Sequence, residues 1–203
     1  TKFLSSRQQP KPTFPTNMRA SEAINERRSI RRFSGQPVSR EDIEKLLSAA
    51  TLAPNHRLTQ PWRFYVLGPE ARYAFGLALG DRKARKIEDS EKARTMRENV
   101  ANEHRALPGM IAVAVLQHEN EEIREEDYAS VMMAVQNLAL VAVENGFGTH
   151  IKSGAVMNDP VARAAFGAHD GERVVALINV GVPADLPEQS KRSAASTFTT
   201  WVP

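Results

Sequence analysis

Helical and extended periods of apolar residues succeed one another along the chain. Met18 to Glu26 carries apolar and helix-forming residues and predicts a helix running into Arg27-Arg28-Ser29-Ile30-Arg31-Arg32-Phe33, with Ser34-Gly35-Gln36-Pro37 as its stop. From Ser39 the pattern is a capped helix: serine at the N-cap, Asp42 three residues on, then Ile43, Leu46 and Leu47 on one face, with Pro54 ending it. Arg63 to Leu67 reads as a strand. Gly68-Pro69 opens a helix over Glu70 to Leu79, and Arg82 to Arg105, dense in both charge signs, is helical again. Met110 to Leu116 is apolar on both faces, the mark of a central strand. Glu121 to Asp127 supplies an acidic first turn to a helix that continues through Tyr128 to Asn145. Its residues are apolar almost all round, which predicts burial and, in a small domain, a dimer core. A short helix at Asp159 to Phe166 and a buried strand from Glu172 to Val182 follow. Helices grouped around a few strands, with no alternating βαβ repeat, predict an α+β sandwich rather than a doubly wound sheet.

Composition narrows the chemistry. A chain of 203 residues, 41% of them hydrophobic, predicts one compact domain, and such a domain buries about 70% of the surface its unfolded chain exposes. The chain has no cysteine, which removes disulfides, thiolate zinc, iron–sulfur clusters and a cysteine nucleophile together, and fits a cytoplasmic protein. Val131 to Val143 is the nearest approach to a membrane span, and Gln136 and Asn137 interrupt it. No membrane partner is expected. The formal charge of +3 is local: residues 1–34 carry +6 and the remainder −3. A module that coats nucleic acid spreads its charge and interleaves aromatics, which are only 6% of this chain.

Thr1 to Asn17 is a polar arm with prolines at 10, 12 and 15 and no apolar h-region, so it does not read as a secretory signal. Its prolines also argue against the amphipathic helix of a transit peptide. Met18 is a possible alternative start. Gly-x-Gly-x-x-Gly after a strand, Gly-x-x-x-x-Gly-Lys-Ser/Thr, His-Glu-x-x-His and Gly-x-Ser-x-Gly are all missing, so Rossmann, P-loop, zinc-hydrolase and α/β-hydrolase readings have no support.

Three stretches carry candidate chemistry. In the first, a helical reading sets Arg27 and Arg31, and Arg28 and Arg31, one turn apart. Side by side such arginines repel one another. A phosphate reverses the balance, because a hydrogen bond to a charged group contributes about 1.5–3 kcal/mol and the guanidinium fork matches phosphate oxygens. A solvated basic face is the plain alternative. The second is the polar loop Ala53-Pro54-Asn55-His56-Arg57-Leu58-Thr59-Gln60-Pro61-Trp62 before a strand; His56 there is also readable as a structural residue. The third is Gly146-Phe147-Gly148-Thr149-His150-Ile151-Lys152-Ser153-Gly154, where glycines permit close backbone approach and Lys152-Ser153 offers a cation and a hydroxyl. An ordinary helix stop, strand and turn explains it equally.

Arg-Arg-Ser-Ile-Arg-Arg-Phe, a second helix, then Ala-Pro-Asn-His and Gln-Pro-Trp-Arg-Phe before the first strand resembles the FMN-dependent nitroreductase family. It is most similar to the short members with an Ala-Pro-Asp/Asn-His loop. The likeness runs from about Met18 to the C-terminus. It implies an intertwined homodimer with a mostly antiparallel central sheet wrapped by helices, a single FMN-binding domain over 18–203, and a C-terminal extension over 184–203 that adds a strand, near Phe198 to Val202, to the partner's sheet. The activity implied is an oxidoreductase passing hydride from NADH or NADPH to flavin N5 and then, ping-pong, to a small nitroaromatic or quinone-like acceptor, with no catalytic side chain and no metal. Carried over by position, Arg27, Arg28 and Ser29 meet the FMN phosphate and ribityl end, and Arg31 lies near the pyrimidine edge, where the family more often has Lys or Ser. Leu52 (backbone), His56 and Gln60 meet the flavin from the other subunit. Ile151, Lys152 and Ser153 are further contacts, Lys191 and Arg192 supply further cations, and Val141, Ala142, Val143, Glu144, Asn145 and Gly146 fall where a nicotinamide nucleotide is inferred. The charged 82–105 region is a candidate lid. A same-fold dehalogenase or flavin-consuming enzyme, and a basic nucleic-acid-binding module, are the competing readings.

Overall fold

The computed structural model describes residues 18–203; the polar arm at 1–17 lies outside the described residues. Helix α1, Ala20–Glu26, starts where the Glu22 carboxylate accepts from the Arg19 amide at 2.7 Å. Helix α2, Arg40–Ala50, begins at Ser39, whose hydroxyl accepts from the Asp42 amide at 3.0 Å. Then come strand β1, Trp62–Val66, helix α3, Pro69–Ala84, and helix α4, Ser90–Arg105. Strand β2, Gly109–Leu116, leads to the long helix α5, Glu121–Glu144, and strand β3, Gly148–Lys152. A 3₁₀ turn at Ala155–Asn158, helix α6, Pro160–Phe166, strand β4, Glu172–Gly181, and a last 3₁₀ turn at Ala195–Phe198 complete the order.

The strands form one sheet, β1-β2-β4-β3, antiparallel at every pairing. Its two central strands are buried on both faces because successive side chains serve opposite layers. Ile111, Val113, Val115, Ala176, Ile178 and Val180 pack with Ile43 and Leu46 of α2 and Val131, Val135 and Leu138 of α5. Met110, Ala112, Ala114 and Leu177 pack on the other side with Phe75 of α3 and Phe166 of α6. Helix α4 lies over α3 at a distance that only glycine allows: a Cβ at Gly76 would sit 2.6 Å from the Ala101 Cα, and one at Gly80 would sit 2.8 Å from that of Arg97. This is the expected α+β sandwich.

Two expectations are corrected. The first helix stops at Glu26; Arg27 has φ −58° and ψ 124° and the arginine cluster runs on in extended form, so Arg27, Arg28 and Arg31 do not share a helical face. The boundary between the two outer-layer helices also moves: α3 runs on to Ala84, taking in Arg82, and α4 begins only after the Asp89 cap. Helix α5 is buried along much of its length, while Tyr128 and Met133 stay exposed in the single chain. Phe198, Trp201 and Val202 are 80–90% exposed, and residues 199–203 form no strand within the chain.

Candidate functional site

The arginine segment is extended because the sheet edge gives its backbone a partner. The Ile30 amide donates to the Thr149 carbonyl at 2.9 Å, and Ser29 bridges Thr149 in parallel. Farther on, Ser34 donates to Val182 at 2.9 Å and Ala184 returns a bond to the Arg32 carbonyl at 3.0 Å. Ile30, fully buried, lies directly over Gly148, where an added Cβ would come within 2.2 Å of its Cγ1. With Ile30 turned inward, the arginines on either side of it line a cavity of about 850 Å³.

Arg27, Arg28, Ser29, Arg31 and Arg32 form one wall of this cavity, with Ile24 and Asn25 from the end of α1. The other wall is the tail: Asp185, Pro187, Glu188, Gln189, Ser190 and Arg192. Gln189 donates to the Asn25 carbonyl at 3.3 Å, closing the tail over α1. Five arginines thus share one cavity with two acids. Arg32 is paired with Asp185, and Arg28 donates to the carbonyls of Asn25 and Arg27. Among the described residues, Arg27, Arg28, Arg31 and Arg192 have no carboxylate partner. Crowded like charges of this kind are stabilised by an anion.

Further titratable groups lie on β3 and beside it. Burial pushes the Lys152 ammonium below its usual pKa, and Lys83 adds to the shift. His150 is held down by burial first, then by Lys152 and Arg31. His104 of α4, 7% exposed, has its pKa lowered by burial above all; its Nδ1 meets the Val100 carbonyl at 2.7 Å, leaving Nε2 buried without a partner. Negative charge brought to this side of the sheet would be favoured by each of them.

Leu52, His56 and Gln60 are not brought to the cavity within one chain. They occupy the loop between α2 and β1: Leu52 is 81% exposed, and His56 meets Glu126 of α5 at 3.1 Å. Ile151 packs on the α2/α5 layer, and neither Lys152 nor Ser153 lines the cavity. At 141–146, Ala142 and Val143 are fully buried, so their side chains are closed to a nucleotide; Glu144 and Asn145 face outward. Sequence reasoning missed Asn25, Asp185 and residues 187–190 as cavity residues. The only cue was the pair Pro183 and Pro187 flanking an acid, which marks a rigid turn without saying what it covers. Among the described residues there is no group of three metal-ligating side chains, and no helix is long and apolar enough to cross a membrane.

A four-stranded antiparallel sheet between two helical layers, with an arginine-lined cavity at its β3 edge, defines the class, and comparison with known proteins gives the same result. The nitroreductase family model matches residues 24–182, and the chain belongs to that family. It is 38% identical over 173 residues to "Putative NAD(P)H nitroreductase YfhC" of Bacillus subtilis, covering 84% of this chain and 87% of the relative. A nitroreductase-like family protein from Bacillus cereus superposes with a TM-score of 0.78 at 27% identity, covering 93% of this chain and 98% of the other. A Desulfovibrio desulfuricans protein described as a "putative nitroreductase in complex with fmn" superposes at 0.67 with 25% identity, covering 93% and 100%.

Proposed function

We propose that the protein is a cytoplasmic, homodimeric FMN-dependent oxidoreductase that takes hydride from NADH or NADPH and delivers it, in a second half-reaction at the same site, to nitroaromatic, quinone-like or related small acceptors. The observation that carries this reading is the cavity with four arginines lacking a carboxylate partner. Its volume of about 850 Å³ suits a nucleotide-sized ligand, and its charge suits a phosphate. When bound, FMN supplies the redox chemistry itself, accepting two electrons from the nicotinamide and giving them up to the acceptor.

The chain's contribution is to bind, orient and stabilise charge. Arg27, Arg28 and Ser29, with Arg192 from the tail, hold the phosphate and ribityl end. Arg31, which acts on His150 across the sheet edge, stabilises the negative charge that accumulates on reduction, and the Lys152 ammonium adds to it. Leu52, His56 and Gln60 reach the flavin from a second copy. This is supported by their absence from the lining of their own chain's cavity, by the exposed Tyr128 and Met133 of α5 and by the bare Phe198, Trp201 and Val202, an apolar set that a second copy would cover. Ile151 and Ser153 are kept as flavin contacts by position, and Glu144 and Asn145 at the exposed end of α5 are the part of the 141–146 stretch open to a nicotinamide nucleotide.

The test is an anaerobic reduction of the flavin-loaded protein by NADH and by NADPH, wild type against Arg31→Ala. Flavin should stay bound in the variant and reduction should slow by roughly tenfold, corresponding to about 1.4 kcal/mol of lost stabilisation. An unchanged rate removes the electrostatic role from Arg31.

A further inference from the structure

The 55–60 loop is held by a directed chain of hydrogen bonds that starts from a buried carboxylate on α5. Asp127 is 4% exposed and, when ionised, only accepts; its Oδ1 accepts a hydrogen bond from the Thr59 hydroxyl. The Thr59 oxygen is thereby left to accept, and the Asn55 Nδ2 donates to it at 3.1 Å and to the Ser130 hydroxyl at 3.3 Å. That fixes which way the Asn55 amide faces. Its Oδ1 is turned to the Gln60 backbone N–H, 2.7 Å away. The loop so pinned contains two non-glycine residues in the left-handed region, Leu58 at φ 50° and Gln60 at φ 46°. Side chains seldom hold that conformation without outside support, and it recurs where a group must be presented at a set angle. Beside this relay, Glu126 grips the same loop from one turn of α5, accepting from Arg57 Nε at 2.9 Å and meeting His56 Nδ1 at 3.1 Å.

We propose that Asp127, acting through Thr59 and Asn55, is a positioning residue for flavin binding: it sets the left-handed bend at Leu58 and Gln60 that presents His56 and Gln60 to the flavin of a second copy. The proposal rests on the reading that this loop completes the site across a dimer. Asp127 itself touches no ligand. Its carboxylate determines the direction of every donor in the relay, and a group that donates in its place reverses the chain and turns the Asn55 oxygen away from Gln60.

The experiment measures FMN dissociation constants and the visible circular dichroism of bound flavin for the full chain carrying Thr59→Val, Thr59→Ser, Asp127→Asn or Gln60→Ala, with dimer mass checked for each. Thr59 is exposed, so the isosteric loss of its hydroxyl leaves the core untouched. The expected result is about a tenfold weaker FMN affinity for Thr59→Val and Asp127→Asn, an altered flavin dichroism, and recovery of both in Thr59→Ser. If Gln60→Ala weakens FMN while Thr59→Val binds it as wild type does, the relay is refuted and the cross-subunit site stands. If Gln60→Ala changes neither affinity nor dichroism, the loop is not part of the flavin site, and the proposal falls together with that reading.

Discussion

The arginine cavity and the 55–60 loop are both polar, irregular and attached to the same sheet, yet they settle their charges in opposite ways. In the cavity the backbone is satisfied and the side chains are not: Ile30 and Ser34 bond to the neighbouring strands while Arg27, Arg31 and Arg192 lack carboxylates among the described residues. In the loop the side chains are satisfied and the backbone is bent: Arg57 and His56 both meet Glu126, and Asn55, Thr59 and Asp127 are bonded in series around two left-handed residues. Cations without a carboxylate partner favour a ligand, whereas a loop braced by its own side chains suits rigid presentation of the groups it leaves over. On the proposed reading the flavin site is divided, with phosphate recognition in one chain and ring contacts offered to another.

Arg27→Ala should separate the two regions most sharply. Losing one charge-assisted contact to phosphate costs about 1.5–3 kcal/mol, a roughly ten- to hundredfold weaker FMN affinity, with far-ultraviolet dichroism and melting of the flavin-free protein unchanged. Full FMN occupancy in that variant would count against a phosphate at this wall. Gly148→Ala tests the backbone half of the comparison. The added methyl meets Ile30 at 2.2 Å, and displacing a packed side chain costs about 1–3 kcal/mol; both thermal stability and FMN affinity should fall together, while the 55–60 loop keeps its hydrogen-exchange protection. Equal stability would mean that Ile30 does not pin the arginine segment.

The smallest effect is an acid loosening of the loop alone. The Glu126 carboxyl lies below its ordinary value of 4.5, held there first by the His56 hydrogen bond and then by Arg57. A lowered carboxylate pKa contributes stability that is complete above 4.5 and lost as the pH falls through the folded value. Amide exchange in residues 55–60 should accordingly rise below about pH 4.5 and lose this dependence in Glu126→Gln. The same profile in that variant would detach Glu126 from the loop.

Much of the frame was legible in the sequence. The Ser39 cap, the doubly apolar Met110 to Leu116 strand and the Asp159-Pro160 helix start are local signals, and each became the element its chemistry predicts. The arginine segment has charges at helical spacing, yet it is extended. What decides its form is nonlocal: Ile30 fits only over the bare Gly148, and the Thr149 carbonyl offers a backbone partner 119 positions away. The tail wall was hidden for a related reason. Residues 185–192 carry no period, and their place over α1 comes from the Ala184 and Gln189 bonds to distant carbonyls. Of the site residues, Arg27, Arg28, Ser29, Arg31 and Arg192 come together in one cavity, while Leu52, His56 and Gln60 are not among its lining residues.

The central claim, that this cavity holds flavin mononucleotide, is tested most directly by titrating the purified flavin-free protein with FMN, desalting it and recording its visible spectrum. The account predicts a yellow protein with one FMN retained per chain and a retention that Arg27→Ala abolishes. A colourless protein after saturation with FMN would contradict it.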